Sequence, residues 1–390
     1  MKIRICEVLF YAIITYCFLG LLVFFSFLPL MFLQGLKLCC FILVAALLIY
    51  YYKKQTFTAL NKIVYLFLLY GIFIVIRGNW NVDFLRILNK FSWEHGVFNF
   101  ILPMLALLPY YKGIVKSLFS CITIWMLLAV VSFVLFINNV FTERDGIEYL
   151  AAYGGMFVSG YLLIFERYLS KKQKLLCFMV YFMALFSALF MARRALVMSF
   201  IMYGLVFILN RLLVIKSLGM KFVFGIVLSV IVVFSVWGAY KNHLLDNIMD
   251  RSIEDTRSVV NMALINEISQ KKSYICFGKG MDGTYYFPLK DEYGHIEDDR
   301  KGIETCYLNF VLTGGVVYLL LVIIVLLMSI VRGLRCRKLS IQHSSALYLM
   351  TYWIDLYTTS CLSFVNVRSV LFWISVGICM SKKNKYEDTL

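Results

Sequence analysis

Charged residues are scarce in this sequence. Aspartate, glutamate, lysine and arginine make up 15% of its 390 residues, and 62% of the residues are hydrophobic. A soluble domain carries roughly 25% charged residues because its surface faces water. No polar stretch exceeds about 70 residues, so a large independent soluble domain is excluded. The apolar runs are continuous rather than alternating, which favours membrane helices over a closed β-barrel.

The sequence also lacks nucleotide and metal motifs. The segment "GKGMDG" at 278–283 does not end in the Lys-Ser/Thr pair of a phosphate-binding Walker loop. No C-x-x-C pair and no Cys/His spacing is typical of a zinc site. His295, Glu297, Asp298 and Asp299 are more simply interpreted as a hydrated acidic loop than as ligands of a divalent cation. We therefore expect neither a metal nor a cofactor.

What the chain does contain is a series of apolar segments of about the length that crosses a bilayer, near 20 residues. They fall roughly at 8–28, 31–52, 60–76, 94–111, 115–137, 149–165, 174–192, 195–210, 222–239, 306–330, 344–361 and 364–380. This pattern predicts an all-α polytopic integral membrane protein with about 10–12 transmembrane helices. Residues 1–239 would form a helical bundle of about nine spans, residues 240–305 one long loop, and residues 306–390 the last helices and a short tail.

Lysine and arginine are distributed unevenly between the two sets of alternate loops. With the N-terminus placed in the cytoplasm, one side carries 21 basic and four acidic residues, whereas the other carries 17 basic and 18 acidic residues. Basic residues concentrate on the cytoplasmic side of membrane proteins. We therefore predict that both termini are cytoplasmic and that the loop 240–305 is extracytoplasmic. The net charge of +16 is then a topology signal rather than a nucleic-acid surface.

Two adjacent arginines on the expected outer side are the strongest candidates for a functional site. Arg193 and Arg194 lie in the very short turn "MARRALVM" between two apolar spans. A charge at membrane depth costs at least ~2.5 kcal/mol near a helix centre, so such residues usually mark a site or a partner. Two neighbouring guanidiniums suit a phosphate or a pyrophosphate. Snorkelling of both side chains to lipid headgroups is the structural alternative.

Two further outer arginines are candidates with simple structural explanations beside the functional one. Arg144 is flanked by Glu143 and Asp145, so it is either a solvated surface charge or a ligand for an anion. Arg257 lies in the long loop three residues after Glu254, and an ion pair at that helical spacing would account for it.

Glu304 ends the long loop, immediately before "TCYLNFVLTGG" returns the chain to the membrane. Partial desolvation of a carboxylate at this point favours a role as a general base. An interfacial charge that pairs with Lys301 or Arg300 is the alternative, and the sequence leaves both open.

Four segments together resemble the superfamily of bacterial membrane glycosyltransferases that contains O-antigen polymerase (Wzy) and O-antigen ligase. They are "RDGIEYLAAYGG", "ARRALVMSFIMYG", "TRSVVNMALI…FGKGMDG" and "ETCYLNFVLTGG". The third resembles the family's arginine, helix and G-x-G turn, and the fourth its re-entry into the membrane. The Arg-x10-Gly spacing of such polymerases fits Arg144 to Gly155 and Arg193 to Gly204. Many family members, ligases in particular, have histidine where this chain has Glu304.

The resemblance implies a GT-C-like fold in the bacterial inner membrane and an inverting transfer between oligosaccharides carried on undecaprenyl pyrophosphate. No metal, nucleotide sugar or nucleic acid takes part, and a chain-length regulator protein is a possible partner. The implied roles are pyrophosphate binding by Arg193, Arg194, Arg257 and Arg144, proton abstraction by Glu304, and sugar stacking by Tyr285 and Tyr286. Aromatic anchoring at the membrane interface is the alternative for the tyrosines.

Three other functions stay open at this point. A lipid-linked oligosaccharide flippase would have a similar number of spans, but it should show two related halves and charges spread along its helices. No internal repeat stands out here. An O-antigen ligase would share the fold and the donor and would differ in its acceptor. A structural partner in a cell-envelope assembly has no specific support in the sequence.

Overall fold

The structure is a computed structural model. It describes residues 5–26, 29–53, 59–93, 95–110, 114–138, 146–191, 193–214, 256–290, 296–303, 305–338, 340–358 and 363–381. The predicted span 222–239 and two of the candidate site residues, Arg144 and Glu304, lie outside these residues.

The described part of the chain is built almost entirely of helices. They are α1 (Ile5–Phe24), α2 (Leu30–Lys53), α3 (Ala59–Ile76), α4 (Phe84–Ser92), α5 (Val97–Ile101), α6 (Ile114–Leu135), α7 (Gly146–Tyr153), α8 (Met156–Ile164), α9 (Lys171–Phe190), α10 (Arg194–Val214), α11 (Thr256–Ser269), α12 (Lys272–Phe277), α13 (Cys306–Leu334), α14 (Ile341–Thr358) and α15 (Val367–Met380). A 3₁₀ segment, Leu102–Tyr110, continues α5, and another, Glu166–Tyr168, follows α8. Helices satisfy their own backbone hydrogen bonds, which is what an apolar chain in lipid requires.

Within the described ranges, six helices are long and apolar enough to cross a membrane: α1, α2, α6, α9, α10 and α13. Two bent pairs raise this number to eight if each is one span, and α3 and α15 contain shorter apolar segments. The expectation of an all-α, polytopic membrane protein is therefore confirmed at this level. The finer number of 10–12 spans stays a prediction.

One predicted span is a broken helix. The segment 149–165 forms the end of α7 and all of α8, which are bent by 51° relative to each other. The break falls at Gly154 and Gly155, which are both buried, so neighbouring helices can satisfy the freed backbone groups. The segment 94–111 contains α5 and the 3₁₀ segment that follows it, and the second bend, of 41°, lies before them, between α4 and α5.

The predicted long loop contains ordered structure, and its hairpin is an element that the sequence pattern did not predict. Its described part forms α11, α12 and an antiparallel hairpin of β1 (Thr284–Lys290) and β2 (Ile296–Lys301), with an irregularity between Tyr286 and Leu289. A small separate core joins these elements to the start of α13. Its buried members are Leu264, Ile268, Tyr285, Ile303, Leu308 and Leu312. The loop is thus packed onto the helical bundle by apolar contacts.

The last helix, α15, lies at the centre of the bundle. All of its 14 residues are buried, including Arg368. A helix that is buried on every side is usually apolar all round. Asn366 begins α15 with a capping box, in which its side chain accepts from the Ser369 backbone N–H and Ser369 Oγ accepts in return. An arginine near the start of such a helix requires a specific partner, which the tertiary structure supplies.

Candidate functional site

One end of the bundle gathers the polar loops, and we call it the loop face. Its described residues, which the contacts between their segments bring together, are 77–93, 95–96, 146–149, 193–194, 278–290, 296–303 and 363–366. The charge distribution predicts that this end is extracytoplasmic.

The glycine-rich turn of the loop face is hydrogen-bonded to a break in α13. Gly315 has a φ of 71° inside α13, which interrupts the helical hydrogen bonds there. The backbone N–H groups of Lys279 and Gly280 donate to the carbonyl oxygens of Leu312 and Thr313, over 2.7 and 2.9 Å. These carbonyls would otherwise bond to residues four positions later in an unbroken helix. The turn therefore satisfies buried acceptors that the break exposes.

Close backbone approach explains why the turn and the break both use glycine. A Cβ atom on Gly280, whose φ is 95°, would lie 2.7 Å from the carbonyl oxygen of Arg77. A Cβ on Gly315 would lie 2.2 Å from the carbonyl oxygen of Cys276. Both positive φ values and both contacts exclude larger residues without rearrangement. Two of the four family-like segments thus interlock as one unit.

A buried ion pair fixes the turn to the first part of the chain. Asp282 accepts from Lys90 Nζ in α4 and, over 3.0 Å, from the backbone N–H of Asn79. The side chains of Lys90 and Asp282 are 10% and 15% exposed. Arg77 Nη1 donates to the carbonyl of Phe277 over 2.7 Å. The polar patch that follows α3 therefore anchors the loop.

Beneath the turn lies a cavity of about 110 Å³ at the point where the chain re-enters the bundle. We call it the re-entry cavity. It is lined by Trp93, His95, Asn99, Phe100, Met281, Gly283, Lys301, Gly302, Asn309, Phe310, Thr313, Tyr318 and Ser363. Asn99 Nδ2 donates to the carbonyl of Ser363 over 3.0 Å. This hydrogen bond joins α5 to the segment that precedes α15. Basic, imidazole and amide groups therefore meet in one partly apolar cleft, as in many ligand sites.

A chain of aromatic rings leads from the re-entry cavity to Phe24 at the end of α1. Neighbouring ring centroids in this aromatic chain are 3.7 to 6.0 Å apart. In order its members are Phe24, Tyr149, Tyr153, Phe364, His95 and Trp93. Aromatic faces of this kind offer apolar platforms with polar edges.

The predicted arginine pair has two different environments. Arg193 precedes α10, and its Nη1 atom lies 3.0 Å from Oε1 of Glu148 in α7, with 12% of the arginine side chain exposed. Arg194 is the first residue of α10 and is exposed. The structure thus joins the first and second family-like segments through Arg193 and Glu148.

The other described candidate residues, Arg257, Tyr285 and Tyr286, all lie in the predicted long loop. Arg257 is the second residue of α11. Tyr285 is fully buried, and its hydroxyl donates to the carbonyl of Gly302 over 3.3 Å. Tyr286 is 58% exposed, so its ring is the accessible one of the two tyrosines. The sugar contacts of both stay predictions.

Sequence reasoning missed several charged groups that the fold buries. Lys37 is 3% exposed in α2, and Lys90 is 8% exposed in α4. Asp355 of α14 and Arg368 of α15 form an ion pair in the core. The available signal was the presence of ionisable residues within or beside apolar runs, which by default indicates a functional or paired group.

Among the residues that the structure describes, no cluster of three or more His, Cys, Asp or Glu side chains could hold a metal ion. Comparisons with protein-family models, with curated proteins and with solved structures found no match to this chain.

Proposed function

We propose that this protein is a surface-polysaccharide polymerase, a membrane glycosyltransferase that joins oligosaccharide repeat units carried on undecaprenyl pyrophosphate. The observation that carries the proposal is that parts of all four family-like segments lie at the loop face or directly beneath it. Two of them interlock above the re-entry cavity through Gly280 and Thr313. The other two are joined by Arg193 and Glu148. The aromatic chain leads from Tyr149 and Tyr153 of the first segment to His95, which lines the re-entry cavity.

The reaction requires a charge stabiliser, a base and a surface for sugar. The bond between the donor's anomeric carbon and the pyrophosphate oxygen breaks, and its electron pair stays on the leaving pyrophosphate. The acceptor hydroxyl oxygen bonds to the same carbon, and its proton passes to a base. Arginine groups near the leaving oxygen stabilise the growing negative charge. No other energy source is needed because the glycosyl–pyrophosphate bond supplies it.

Arg193 is the described residue best suited to the leaving group. Glu148 holds its guanidinium in one position, and a fixed donor costs less reorganisation than a mobile one. Arg194 is exposed and adds a second positive charge at the same helix start. Arg257 and Arg144 stay candidates from the sequence.

Two groups are candidates for the base. Glu304 lies in the sequence between Gly302, which lines the re-entry cavity, and Thr305, whose hydroxyl contacts Asn261 Oδ1 over 3.3 Å. His95 lines the same cavity, although it lies far from Glu304 in the sequence. Either carboxylate or imidazole can accept the proton of an acceptor hydroxyl.

The test is complementation of a bacterium from which the gene has been deleted. Wild type, Arg193→Ala, Glu304→Gln and His95→Ala are expressed at matched membrane levels, and the surface polysaccharide is separated by length. We expect the deletion and Arg193→Ala to leave single repeat units on the acceptor. Loss of the base should also leave single repeat units. Whichever of Glu304→Gln and His95→Ala has this effect identifies the base.

Arg167→Ala is the matched control because Arg167 is an exposed arginine on the opposite face by the predicted topology. It should make polymer of normal length. Disappearance of even the single capped unit in the deletion would instead indicate ligation or flipping. Normal polymer length in the deletion strain would refute the proposal.

A further inference from the structure

A second cavity, of about 390 Å³, lies between α1, α2, α4 and α7, and we call it the lysine cavity. Its volume is within the roughly 300–1,000 Å³ of small-molecule sites. It is lined by Gly20, Val23, Phe24, Gln34, Lys37, Asn89, Ser92, Trp93 and Tyr149. None of its lining residues except Trp93 also lines the re-entry cavity, so this indole forms a wall shared by the two.

The floor of the lysine cavity is polar and positively charged. Lys37 and Ser92 are each 3% exposed, and Lys37 Nζ lies 4.9 Å from the ring centroid of Tyr16. Tyr16 in turn donates to the carbonyl of Ser92 over 2.8 Å, which fixes α1 against α4. Lys37 is seven residues into an apolar helix, about 10 Å from its start at 1.5 Å per residue. An ammonium at such depth indicates a functional or a paired group.

The other polar side chains of the cavity suit phosphate oxygens. Gln34 and Asn89 supply amide N–H donors, and Ser92 supplies a hydroxyl that here donates to the carbonyl of Asn89 over 3.3 Å. A lysine together with such neutral donors forms charge-assisted hydrogen bonds to phosphate. The same set offers little to a cation, because it contains no carboxylate.

The rim and flank of the cavity are apolar. Trp93 and Tyr149 are 43% and 36% exposed, and Tyr149 stacks on Phe24 with ring centroids 3.7 Å apart. At the start of α2, Met31 and Phe32 are 74% and 57% exposed. A charged floor, an aromatic rim and an apolar flank together match a lipid with a phosphate head.

Helix α7 separates this cavity from the arginine pair. Glu148 contacts Arg193, whereas the next residue, Tyr149, lines the lysine cavity. Consecutive helical residues point about 100° apart, so the two cations serve different sides of α7. Two separate cationic positions would fit two separate anionic heads.

We infer that the lysine cavity binds the phosphate head of a polyprenyl lipid, as a site distinct from that of Arg193. The inference rests on the proposed function, because a polymerase takes two lipid-linked substrates and therefore needs two anion sites. It assigns Lys37 to one of them and Arg193 to the other.

The test is equilibrium binding to the purified full-length protein in detergent, followed by native mass spectrometry. The probes are undecaprenyl phosphate, neutral undecaprenol, phosphatidylglycerol and inorganic phosphate. We expect undecaprenyl phosphate to bind best and Lys37→Met to weaken it about tenfold or more, since a charge-assisted contact is lost. Lys37→Arg should retain most of the affinity. Lys53→Met, at the last residue of the same helix, is the matched control.

Equal binding of undecaprenyl phosphate to wild type and Lys37→Met would overturn the inference. The inference would also be overturned if undecaprenol, phosphatidylglycerol or inorganic phosphate alone bound to the wild type as tightly as undecaprenyl phosphate does. If Lys37→Met does not fold, Gln34→Leu is the second variant. It removes a neutral donor of the same cavity and should selectively weaken the binding of undecaprenyl phosphate. Binding requires no sugar transfer, so a failure of the polymerase proposal would appear in the polysaccharide gel and leave this measurement interpretable.

Discussion

Arg368 and Asp355 form an ion pair whose side chains are 0% and 1% exposed. Ser199 Oγ donates to Asp355 Oδ1 over 2.9 Å, and Arg368 Nη1 contacts the same hydroxyl over 3.2 Å. The Arg368 guanidinium also lies 4.3 Å from the ring centroid of Phe157. The cluster therefore fastens α10, α14 and α15 together with α8, directly behind the loop face.

We predict that Asp355→Ala lowers the free energy of unfolding by about 3–5 kcal/mol, because it leaves a buried guanidinium without its carboxylate. The double variant Asp355→Leu, Arg368→Met should lose clearly less, since it removes both charges and keeps similar volume. Unfolding by dodecyl sulfate in mixed micelles measures the difference. Arg167→Gln, at an exposed arginine, should change little. A double variant less stable than Asp355→Ala would contradict the interpretation.

Arg193 and Arg194 differ in burial and should differ in function. We predict that Arg193→Ala slows polymer formation about 10²–10³-fold, the usual loss for one fixed stabiliser of transition-state charge. Arg194→Ala should have a smaller effect, because its side chain is exposed to solvent. The rate of polymer formation in membranes at matched protein levels tests this. Equal losses in the two variants would show that the contact of Arg193 with Glu148 has no catalytic consequence.

The glycine contacts predict a sharp difference between substitutions to alanine. Gly280→Ala and Gly315→Ala should each destabilise the protein by about 1–3 kcal/mol, because both positions have positive φ and close carbonyl neighbours. Gly35 of α2 has no atom within 4 Å of its added Cβ, so Gly35→Ala should be neutral or slightly stabilising. Thermal unfolding in detergent measures all three. A loss at Gly35 equal to those at the other two would refute the packing argument.

The ion pair of Lys90 and Asp282 should control opening of the glycine-rich turn. We predict that Asp282→Asn speeds hydrogen exchange at the Lys279 and Gly280 amides about tenfold, because a charge-assisted bond worth roughly 1.5–3 kcal/mol is weakened. Those amides donate to α13, so they report the opening directly. Asp83→Asn is the control, since Asp83 is exposed and makes no side-chain cap bond at the start of α4. If hydrogen exchange at these amides were unchanged in Asp282→Asn, the ion pair of Lys90 and Asp282 would not be what keeps the turn closed.

The membrane class and most helix positions could be predicted from the sequence. Long apolar runs identify α1, α2, α6, α9, α10 and α13 because each must satisfy its backbone within lipid. The bend between α7 and α8 and the hairpin β1–β2 were not predicted, because both depend on contacts with distant segments. Apolar composition alone does not distinguish one straight span from two bent halves.

The candidate site could be predicted only in part. Arg193 stood out because an arginine pair in a short turn is unusual, but its partner Glu148 lies 45 positions earlier in the chain. His95 and Asn99 gave no local signal, and Lys37 gave only that of a lysine within an apolar run, since each acquires its surroundings from other helices.

The sequence by itself determined that this is a helical membrane protein and which segments carry unusual charge. Both follow from local rules, the cost of exposing polar groups to lipid and the spacing of apolar runs. Only the tertiary structure decided that Gly280 caps the break at Gly315, that Asp355 pairs with Arg368, and that Lys37 lies at the floor of a cavity. These relationships join residues far apart in the chain, and close packing of whole helices, rather than any local pattern, brings them into contact.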